Sequence, residues 1–489
     1  MSVDRAVRLG FVSLVGLAIV PIWLFDHWPS QDGPGHVYTA RVLGSLLRGE
    51  ATYEAWYEPS IEVVPNVAGS LVLALGTAVV GGPLAERLLV TAVVMVFSFG
   101  ALSWLRRCSG VQWPVVALCA PPLALNVTVF LGFYSFGLGF AAVPWVWSLA
   151  ATGKWWRAGV LAAVAWSCHV VPAAFCALGL VLEGAAAVRR SQRWRDALGA
   201  ALASIPTVLL TALWGGPSGE GEWVWLDLAS RAERLFTLGC AAPFTGTGEW
   251  AALALAVVLA QRGVVGARRG GASWLLLRVG LLSGLALAAP EGGPGFWYVG
   301  DRLALGMWLA WVGVASTAPG DGRNGVLCAV ASLALLSQSV LGVRALQDEL
   351  SAVDALARRV PERSTVVMLS YGTPIASRFD PMVHAIGRVA AERGLVDLSN
   401  HEAETDHFQV KYRSWVRPLG ARNLIGRAHE IDLDVLAKRA QFIVACGTPE
   451  DTAALARRFT LVDRSDGCWV FSSVTASRPG AHGGADSTL

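Results

Sequence analysis

One short polar stretch of the sequence brings together two acids and two histidines, Asp26, His27, Asp32 and His36. The glycines and proline at 33–35 interrupt any helix at Asp32, and the apolar spacing after His36 predicts an amphipathic helix along the membrane surface. Backbone N–H groups at the start of that helix are expected to keep the Asp32 carboxylate ionised. Such a carboxylate could act as a general base or as a metal ligand near a phosphate-bearing lipid. The alternative is that Asp32 only caps the helix and has no catalytic role.

Two arginines are candidates for holding a phosphate, because a guanidinium can donate two parallel hydrogen bonds. Arg302 follows an aromatic pair and precedes an apolar run, with Asp301 beside it. It is the first candidate, and an anchor at the membrane interface is the alternative. Arg231, in an amphipathic piece of the 215–248 loop, is the second candidate.

Four further residues are candidates for substrate binding. His169 interrupts an apolar stretch, and an ionisable group at membrane depth indicates a functional site. The alternative is a neutral histidine that only packs against a carbonyl group released by Pro172. His36 could contact a substrate or Asp32, or lie exposed in the loop. Asn126 and Tyr134 flank a short turn and could hydrogen-bond a sugar, although both residue types are common at interfaces.

The composition is that of an integral membrane protein. Hydrophobic residues make up 54% of the 489 residues and charged residues 15%, and the mean hydropathy is +0.50. The 21 tryptophans fit rings anchored at two membrane interfaces. A net charge of +3, with no basic stretch interleaved with aromatic residues, argues against nucleic acid as a partner.

Apolar segments predict about eleven to twelve membrane crossings, each needing about 20 residues. The first, Leu9 to Phe25, lacks a cleavage site and is expected to be retained. The others lie near 64–82, 84–105, 113–131, 133–152, 158–188, 197–214, 249–260, 272–290, 303–318 and 324–343.

Basic clusters set the expected orientation, because lysine and arginine concentrate in cytoplasmic loops. These clusters lie at 106–107, 154–157, 189–195, 262–269 and 323. The orientation requires that 64–82 re-enters without crossing and that 158–188 crosses twice, as two short helices around His169 and Pro172. The polar loops, including 26–63 and 291–302, and the C-terminus are then expected on the outer side.

The composition changes near residue 343 and predicts a small α/β domain over 344–476, followed by a disordered tail over 477–489. Its predicted strands are 365–369, 441–445, 459–463 and 468–472, and its predicted helices 345–359, 381–393, 433–440 and 450–458. A disulfide between Cys446 and Cys468 would need an oxidising compartment. No metal site is predicted, because His384, His401, Asp406 and His407 have no familiar ligand spacing.

The membrane part resembles the GT-C superfamily of glycosyltransferases that use polyprenyl-phosphate sugars, and more closely its poorly characterised bacterial members. The similar features are an acidic residue in the loop after the first span, here Asp32, and an Asn…Tyr-Ser-Phe-Gly-Leu-Gly segment, here 126–139. A histidine inside an apolar stretch, His169, and an Asp-Arg pair before a late span, 301–302, complete the resemblance.

The resemblance implies a helical polytopic fold over 1–343 in the bacterial cytoplasmic membrane, with the α/β domain outside the cytoplasm. It implies inverting transfer of a sugar from a polyprenyl-phosphate donor to a glycan, lipid or protein of the cell envelope, with Asp32 as general base. Superfamily members usually carry a second acid in the next outer loop, and the 126–134 turn has none. A divalent cation is compatible with the sequence but is not required by it.

Two other functions fit the same features. A transporter or flippase of lipid-linked glycans would also use intramembrane histidine and arginine, although no inverted repeat is visible and the outer domain would be superfluous. A non-catalytic envelope assembly protein would keep the fold and lose the chemistry, which the missing second acid allows.

Overall fold

The computed structural model describes residues 3–60, 62, 64–191, 194–216, 222–268, 273–293, 297–320, 322–372, 376–405, 408–416, 419 and 428–473. The expected tail at 477–489, together with Asp406 and His407, lies outside these residues. Helices dominate the chain as far as Ala345, and a mixed α/β part follows.

The membrane part is built from sixteen helices in the described ranges. They are α1 (Val3–Leu24), α2 (Gly33–Leu47), α3 (Ala51–Glu54), α4 (Val67–Val80), α5 (Gly82–Ser109), α6 (Ala120–Ala124), α7 (Val127–Phe130), α8 (Tyr134–Ala150), α9 (Trp155–Cys168), α10 (Val170–Ser191), α11 (Trp194–Trp214), α12 (Leu228–Phe236), α13 (Thr247–Ala267), α14 (Ser273–Ala288), α15 (Val299–Ser316) and α16 (Gly322–Ala345).

Six helices of the described chain are long and apolar enough to cross a membrane, and this confirms a polytopic membrane protein. They are α1, α5, α10, α11, α13 and the continuous stretch from α16 to residue 357. Three shorter apolar helical segments, at Val67–Val80, Val115–Phe130 and Ser273–Ala288, add to them.

That 64–82 re-enters without crossing stays a prediction. Its helix α4 has 14 residues and is therefore about 21 Å long, less than the roughly 30 Å of the hydrocarbon core.

Two apolar segments are divided in the structure. The segment 158–188 breaks as expected: His169 is extended, with φ −168° and ψ 139°, between α9 and α10. The prediction of one span over 113–131 is wrong, because the chain there forms a 3-10 turn at Val115–Cys119 and then the short helices α6 and α7. Pro121 and Pro122 fit only the first turn of a helix, so they limit how far a continuous helix can extend.

The C-terminal part contains a five-stranded mixed sheet in the order β3-β2-β5-β7-β6. Its strands are β2 (Thr365–Ser370), β3 (Val396–Asp397), β5 (Phe442–Cys446), β6 (Thr460–Ser465) and β7 (Cys468–Ser472), and its helices α17 (Gln347–Ala357), α18 (Gly387–Arg393), α19 (Leu433–Arg439) and α20 (Pro449–Arg458). Strand β2 pairs in parallel with β3 and β5, and β7 is antiparallel to β5 and β6. A disulfide joins Cys446 to Cys468 across β5 and β7.

The four predicted strands and the α/β class are confirmed, whereas the predicted helix at 381–393 begins only at Gly387.

Helix α2 is enclosed between the membrane part and the C-terminal part. The prediction that it lies along the membrane surface is wrong, because ten of its fifteen residues are buried. A short antiparallel ribbon of β1 (Tyr57–Pro59) and β4 (Val410–Tyr412) closes over it. Tyr38 donates to the Leu395 carbonyl oxygen at 3.1 Å, and its hydroxyl lies 3.2 Å from that of Tyr57. The apolar face of α2 therefore packs on protein.

A buried ion pair joins the two parts of the chain. Arg388 of α18 donates from Nε to Glu86 Oε2 of α5 at 2.8 Å, and from Nη2 to the Trp28 carbonyl oxygen at 2.6 Å. Glu86 also accepts from the Tyr134 hydroxyl at 2.6 Å and from Ser30 Oγ at 3.0 Å. Glu86 is 1% exposed and Arg388 6% exposed, so neither charge has water as an alternative partner.

Breaking this pair should destabilise the protein strongly. Arg388→Met leaves the Glu86 carboxylate buried without its cation, and we expect a loss of about 3–5 kcal/mol. Thermal unfolding in detergent, together with limited proteolysis between residues 346 and 364, would measure this loss of stability. Arg358→Met is the control, because Arg358 and Glu392 form an exposed pair worth about 1 kcal/mol or less. Equal effects of the two variants would contradict a central role for Glu86–Arg388.

Candidate functional site around Asp32

The loop that carries Asp32 is fixed by backbone pairing with the turn before α8. The N–H groups of Gln31 and Asp32 donate to the carbonyl oxygens of Phe130 and Leu131 at 2.9 and 3.1 Å. Gly132 has φ +83°, and a Cβ there would lie 2.5 Å from the Gly33 nitrogen. A glycine is therefore needed at Gly132 both for its backbone conformation and for the close approach of the two segments.

Gly33 is required by the polar cluster beneath the loop. A Cβ at this position would lie 2.0 Å from Ser30 Oγ and 2.3 Å from both Glu86 Oε1 and the Tyr134 hydroxyl. The cluster anchored by Glu86 and Arg388 thus lies directly against the residue that follows Asp32. Any side chain at Gly33 would displace the cluster and, with it, the carboxylate of Asp32.

The Asp32 carboxylate is buried and does not cap α2. It occupies the N-cap position, but its side chain makes no capping hydrogen bond. Burial raises the pKa of Asp32 to about 6, and the positive charges of His36 and Arg302 and a hydrogen bond from Gln31 Nε2 oppose the rise. The prediction that backbone N–H groups hold this carboxylate ionised is therefore wrong. A pKa near neutrality suits a group that accepts a proton.

His36 is part of a buried ion pair and is not an exposed loop histidine. Its Nδ1 lies 2.5 Å from Oε1 of Glu402, which is 0% exposed. Burial alone would lower the pKa of His36, but Glu402 and Asp32 raise it to about 9. His36 is therefore charged at neutral pH. Glu402 supplies a second acid near Asp32, and it comes from the C-terminal part instead of the 126–134 turn.

Two histidines of the C-terminal part complete a group that could hold a metal ion. Asp32, His384 and His401 each offer one ligand atom, and these atoms lie within 4.8 Å of one another. His384 Nε2 is 4.0 Å from Asp32 Oδ1, and the two imidazole rings stack at 4.6 Å. Neither ring nitrogen of His384 has a hydrogen-bond partner among the described residues, and burial lowers its pKa to about 3. Two imidazoles and one carboxylate form a ligand set of catalytic zinc sites.

Arg302 and His169 present two N–H donors side by side. His169 Nδ1 accepts from the Val171 N–H at 3.1 Å, so in a neutral imidazole the proton lies on Nε2. Nε2 lies 3.1 Å from Arg302 Nη1, which is also a donor. Arg302 Nε is buried without a partner in the described structure, and the guanidinium lies over Phe133, 4.4 Å from its ring centre. Both side chains can donate a hydrogen bond to an anionic oxygen.

The other predicted residues have partners within the protein. Asn126 accepts from the Thr128 N–H at 2.9 Å and donates to the Leu123 carbonyl oxygen at 2.8 Å, so it caps α7. Asp301 accepts from Arg378 Nη2 at 3.1 Å, which ties α15 to the C-terminal part. Arg231 donates to two backbone carbonyl oxygens at 2.7 Å, and it lines a separate recess of about 300 Å³. Tyr134 belongs to the Glu86 cluster.

Sequence analysis missed the acids and histidines that come from elsewhere in the chain. His384, His401 and Glu402 reach Asp32 only because the C-terminal part docks on α2, and their spacing along the chain carries no sign of it. Glu86 did leave a signal, since an acid inside an apolar segment indicates a functional or structural role.

Comparisons with known proteins bear on the fold. No family model and no curated protein sequence matches the chain. The crystal structure of ArnT from Cupriavidus metallidurans in the apo state matches with a TM-score of 0.54 at 11% identity, over 98% of this chain and 100% of that one. The chain has the fold of this ArnT. The structure of the same ArnT bound to undecaprenyl phosphate matches with a TM-score of 0.42 at 13% identity over the same shares.

The pKa of about 6 describes Asp32 without a cation, so cation binding by Asp32, His384 and His401 is tested separately from the role of Asp32 as a base. After treatment with a chelator and dialysis, we expect added Zn²⁺ to raise the thermal unfolding temperature, because a ligand that binds only the folded state stabilises it. His384→Ala should abolish the shift, and His429→Ala, which removes an exposed histidine of the same part, should leave it unchanged. An equal Zn²⁺ shift in wild type and His384→Ala would show that the ion binds elsewhere.

Proposed function

We propose that the protein is a membrane glycosyltransferase. It transfers a sugar from a polyprenyl-phosphate donor to a cell-envelope acceptor on the outer face of the bacterial cytoplasmic membrane, and Asp32 is the general base. The fold is that of a glycosyltransferase, and the ArnT that has this fold has also been crystallised with undecaprenyl phosphate.

The observation that carries the proposal is the environment of Asp32. Its carboxylate is 8% exposed, caps no helix, and has a pKa raised to about 6 by burial. Structural carboxylates in proteins are usually paired or solvated, whereas a buried carboxylate with a pKa near neutrality can take a proton during a reaction. Its position in the first loop after α1 is the one expected for the base.

Arg302 and His169 would bind the phosphate of the donor. In the reaction, the acceptor hydroxyl oxygen bonds to the anomeric carbon while the bond from that carbon to the phosphate oxygen breaks. The electron pair leaves with the lipid phosphate, the hydroxyl proton passes to Asp32, and the anomeric configuration inverts. The developing negative charge on the phosphate falls where two N–H donors converge, so their hydrogen bonds strengthen as the bond breaks.

An outer location of the C-terminal part agrees with its disulfide. Cys446 and Cys468 are bridged, and such bonds persist in oxidising compartments such as the bacterial periplasm. The basic clusters between the apolar segments also favour an outer location, because lysine and arginine concentrate in cytoplasmic loops. Donor, acceptor and base would then meet on one face of the membrane.

Replacing Asp32 should trap the donor. We expect native mass spectrometry of the detergent-purified wild type to detect bare polyprenyl phosphate, and Asp32→Asn to accumulate the glycosylated form. Loss of a general base lowers turnover by roughly 10²–10⁴-fold while leaving the phosphate contacts intact. Asp26→Asn is the matched control, because Asp26 is an exposed acid of the same loop.

Three results would count against the proposal. If neither preparation carries such a lipid, the protein does not use this donor, and transport assays become the next step. If wild type and Asp32→Asn both carry only the glycosylated lipid, the protein binds the donor without acting on it, as a flippase or an assembly protein would. If Asp26→Asn traps the donor as well, the effect is not specific to Asp32.

A further inference from the structure

Helix α12 directs its charged side chains toward the protein. It packs on α14 and α15. Arg231 Nη1 donates to the Leu287 carbonyl oxygen at 2.7 Å, and Arg234 Nη1 donates to Glu291 Oε1 at 2.5 Å. A surface helix of a soluble protein has the opposite arrangement, with its apolar face on the core and its charges in water.

The outward face of α12 is apolar. Leu228, Ala232 and Phe236 follow one another at four-residue spacing, which places them on one face of the helix. Leu228 is 66% exposed and Phe236 60% exposed. Only Leu235 is buried in this fully described helix, so packing against the protein accounts for little of its apolar content. The exposed face of α12 therefore needs an apolar partner.

Three tryptophans extend this face. Val224 and Gly292 form an antiparallel bridge, which brings Trp223 and Trp225 beside the chain that precedes α15. Trp297 packs against Gly292, where a Cβ would lie 2.4 Å from the indole ring. Each of the three tryptophans is more than half exposed. The surface formed by α12 and these rings, here named the α12 surface, consists of Trp223, Trp225, Leu228, Phe236 and Trp297.

The α12 surface adjoins the end of a helix that faces lipid. Leu277, Leu281 and Leu285 are exposed at four-residue spacing on α14, one of the shorter apolar helices of the membrane part. Exposed leucines on such a helix face hydrocarbon. The hydrogen bond from Arg231 to Leu287 holds α12 across the end of α14, where the polar residue Glu291 follows in the chain. Tryptophan is enriched at this depth, where hydrocarbon meets the head groups.

We propose that the α12 surface lies in the membrane interface, in the leaflet nearest Asp32, and that its partner is phospholipid. Large exposed apolar surfaces mark sites of protein or membrane contact, and the continuity with α14 favours the membrane. Leu228 and Phe236 then contact acyl chains, and the tryptophan rings lie among the head groups. The proposal does not depend on sugar transfer. Arg234 also lies 3.7 Å from Asp301, so the embedded helix is connected to the start of α15 and to the residue before Arg302.

Hydroxyl-radical footprinting tests whether the α12 surface is in contact with water. The wild-type protein is oxidised in phosphatidylcholine nanodiscs, and the rates at single residues are measured by mass spectrometry. The matched control is Leu461 of β6, a leucine of the C-terminal part that is 47% exposed. We expect Leu228 to be oxidised at least 10-fold more slowly than Leu461, although the protein alone leaves Leu228 the more exposed. Comparable rates would overturn the proposal, because the α12 surface would then face water.

Photolabelling distinguishes lipid from a covering protein. The probe is phosphatidylcholine with a diazirine near the carbonyl end of one acyl chain, and we expect it to label peptides from 223–236. Phe236→Asp should reduce this labelling at least 5-fold, and Leu461→Asp should leave it unchanged. Neither variant should lower the unfolding temperature, because both side chains are exposed.

Two results of the photolabelling would overturn the proposal. Slow oxidation of Leu228 without lipid labelling would show that protein covers the α12 surface. Labelling that persists in Phe236→Asp would show that the lipid contact does not come from the apolar face of α12. Neither measurement uses a sugar donor, so both are independent of the trapped-donor experiment that tests the transferase.

Discussion

The ion pair between Glu86 and Arg388 is the contact on which the rest of the site depends. It is buried, it joins a membrane helix to the C-terminal part, and through Tyr134, Ser30 and the Trp28 carbonyl oxygen it fixes the loop that carries Asp32. An uncompensated charge at either position would be costly, so the pair favours the observed register of the two parts. That register brings Glu402 onto His36 and His384 onto Asp32.

Docking also sets the charges of the site. Asp32 alone at the membrane boundary would be a solvated carboxylate. Once the C-terminal part covers it, burial raises its pKa to about 6, and the Glu402 carboxylate holds His36 in its charged form. The pKa of Asp32 is thus a property of the assembled chain and not of the loop. The same cover leaves the ring nitrogens of His384 and the side-chain amide of Gln409 buried without a hydrogen-bond partner in the described structure.

The sequence was sufficient for the membrane class and the fold, and it indicated Asp32 and Arg302 as candidates, whose roles stay predictions. Asp32 and Arg302 could be found because an acid after the first span and an arginine at the start of a late one are visible without a structure. His384, His401 and Glu402 could not be found, because their role arises from docking between distant segments. The 113–131 segment was misjudged because mean hydropathy does not register a Pro-Pro pair. Helix α2 was placed on the membrane because its amphipathic pattern does not specify what covers its apolar face.

The central claim is that the donor phosphate binds beside Asp32, between Arg302 and His169. An electron cryomicroscopy structure of the protein in nanodiscs with added undecaprenyl phosphate would test it most directly. We expect a phosphate oxygen within hydrogen-bond distance of both Arg302 Nη1 and His169 Nε2, with the lipid chain leaving along the membrane helices. A phosphate bound instead at Arg231, with no lipid oxygen within hydrogen-bond distance of Arg302 or His169, would contradict this claim.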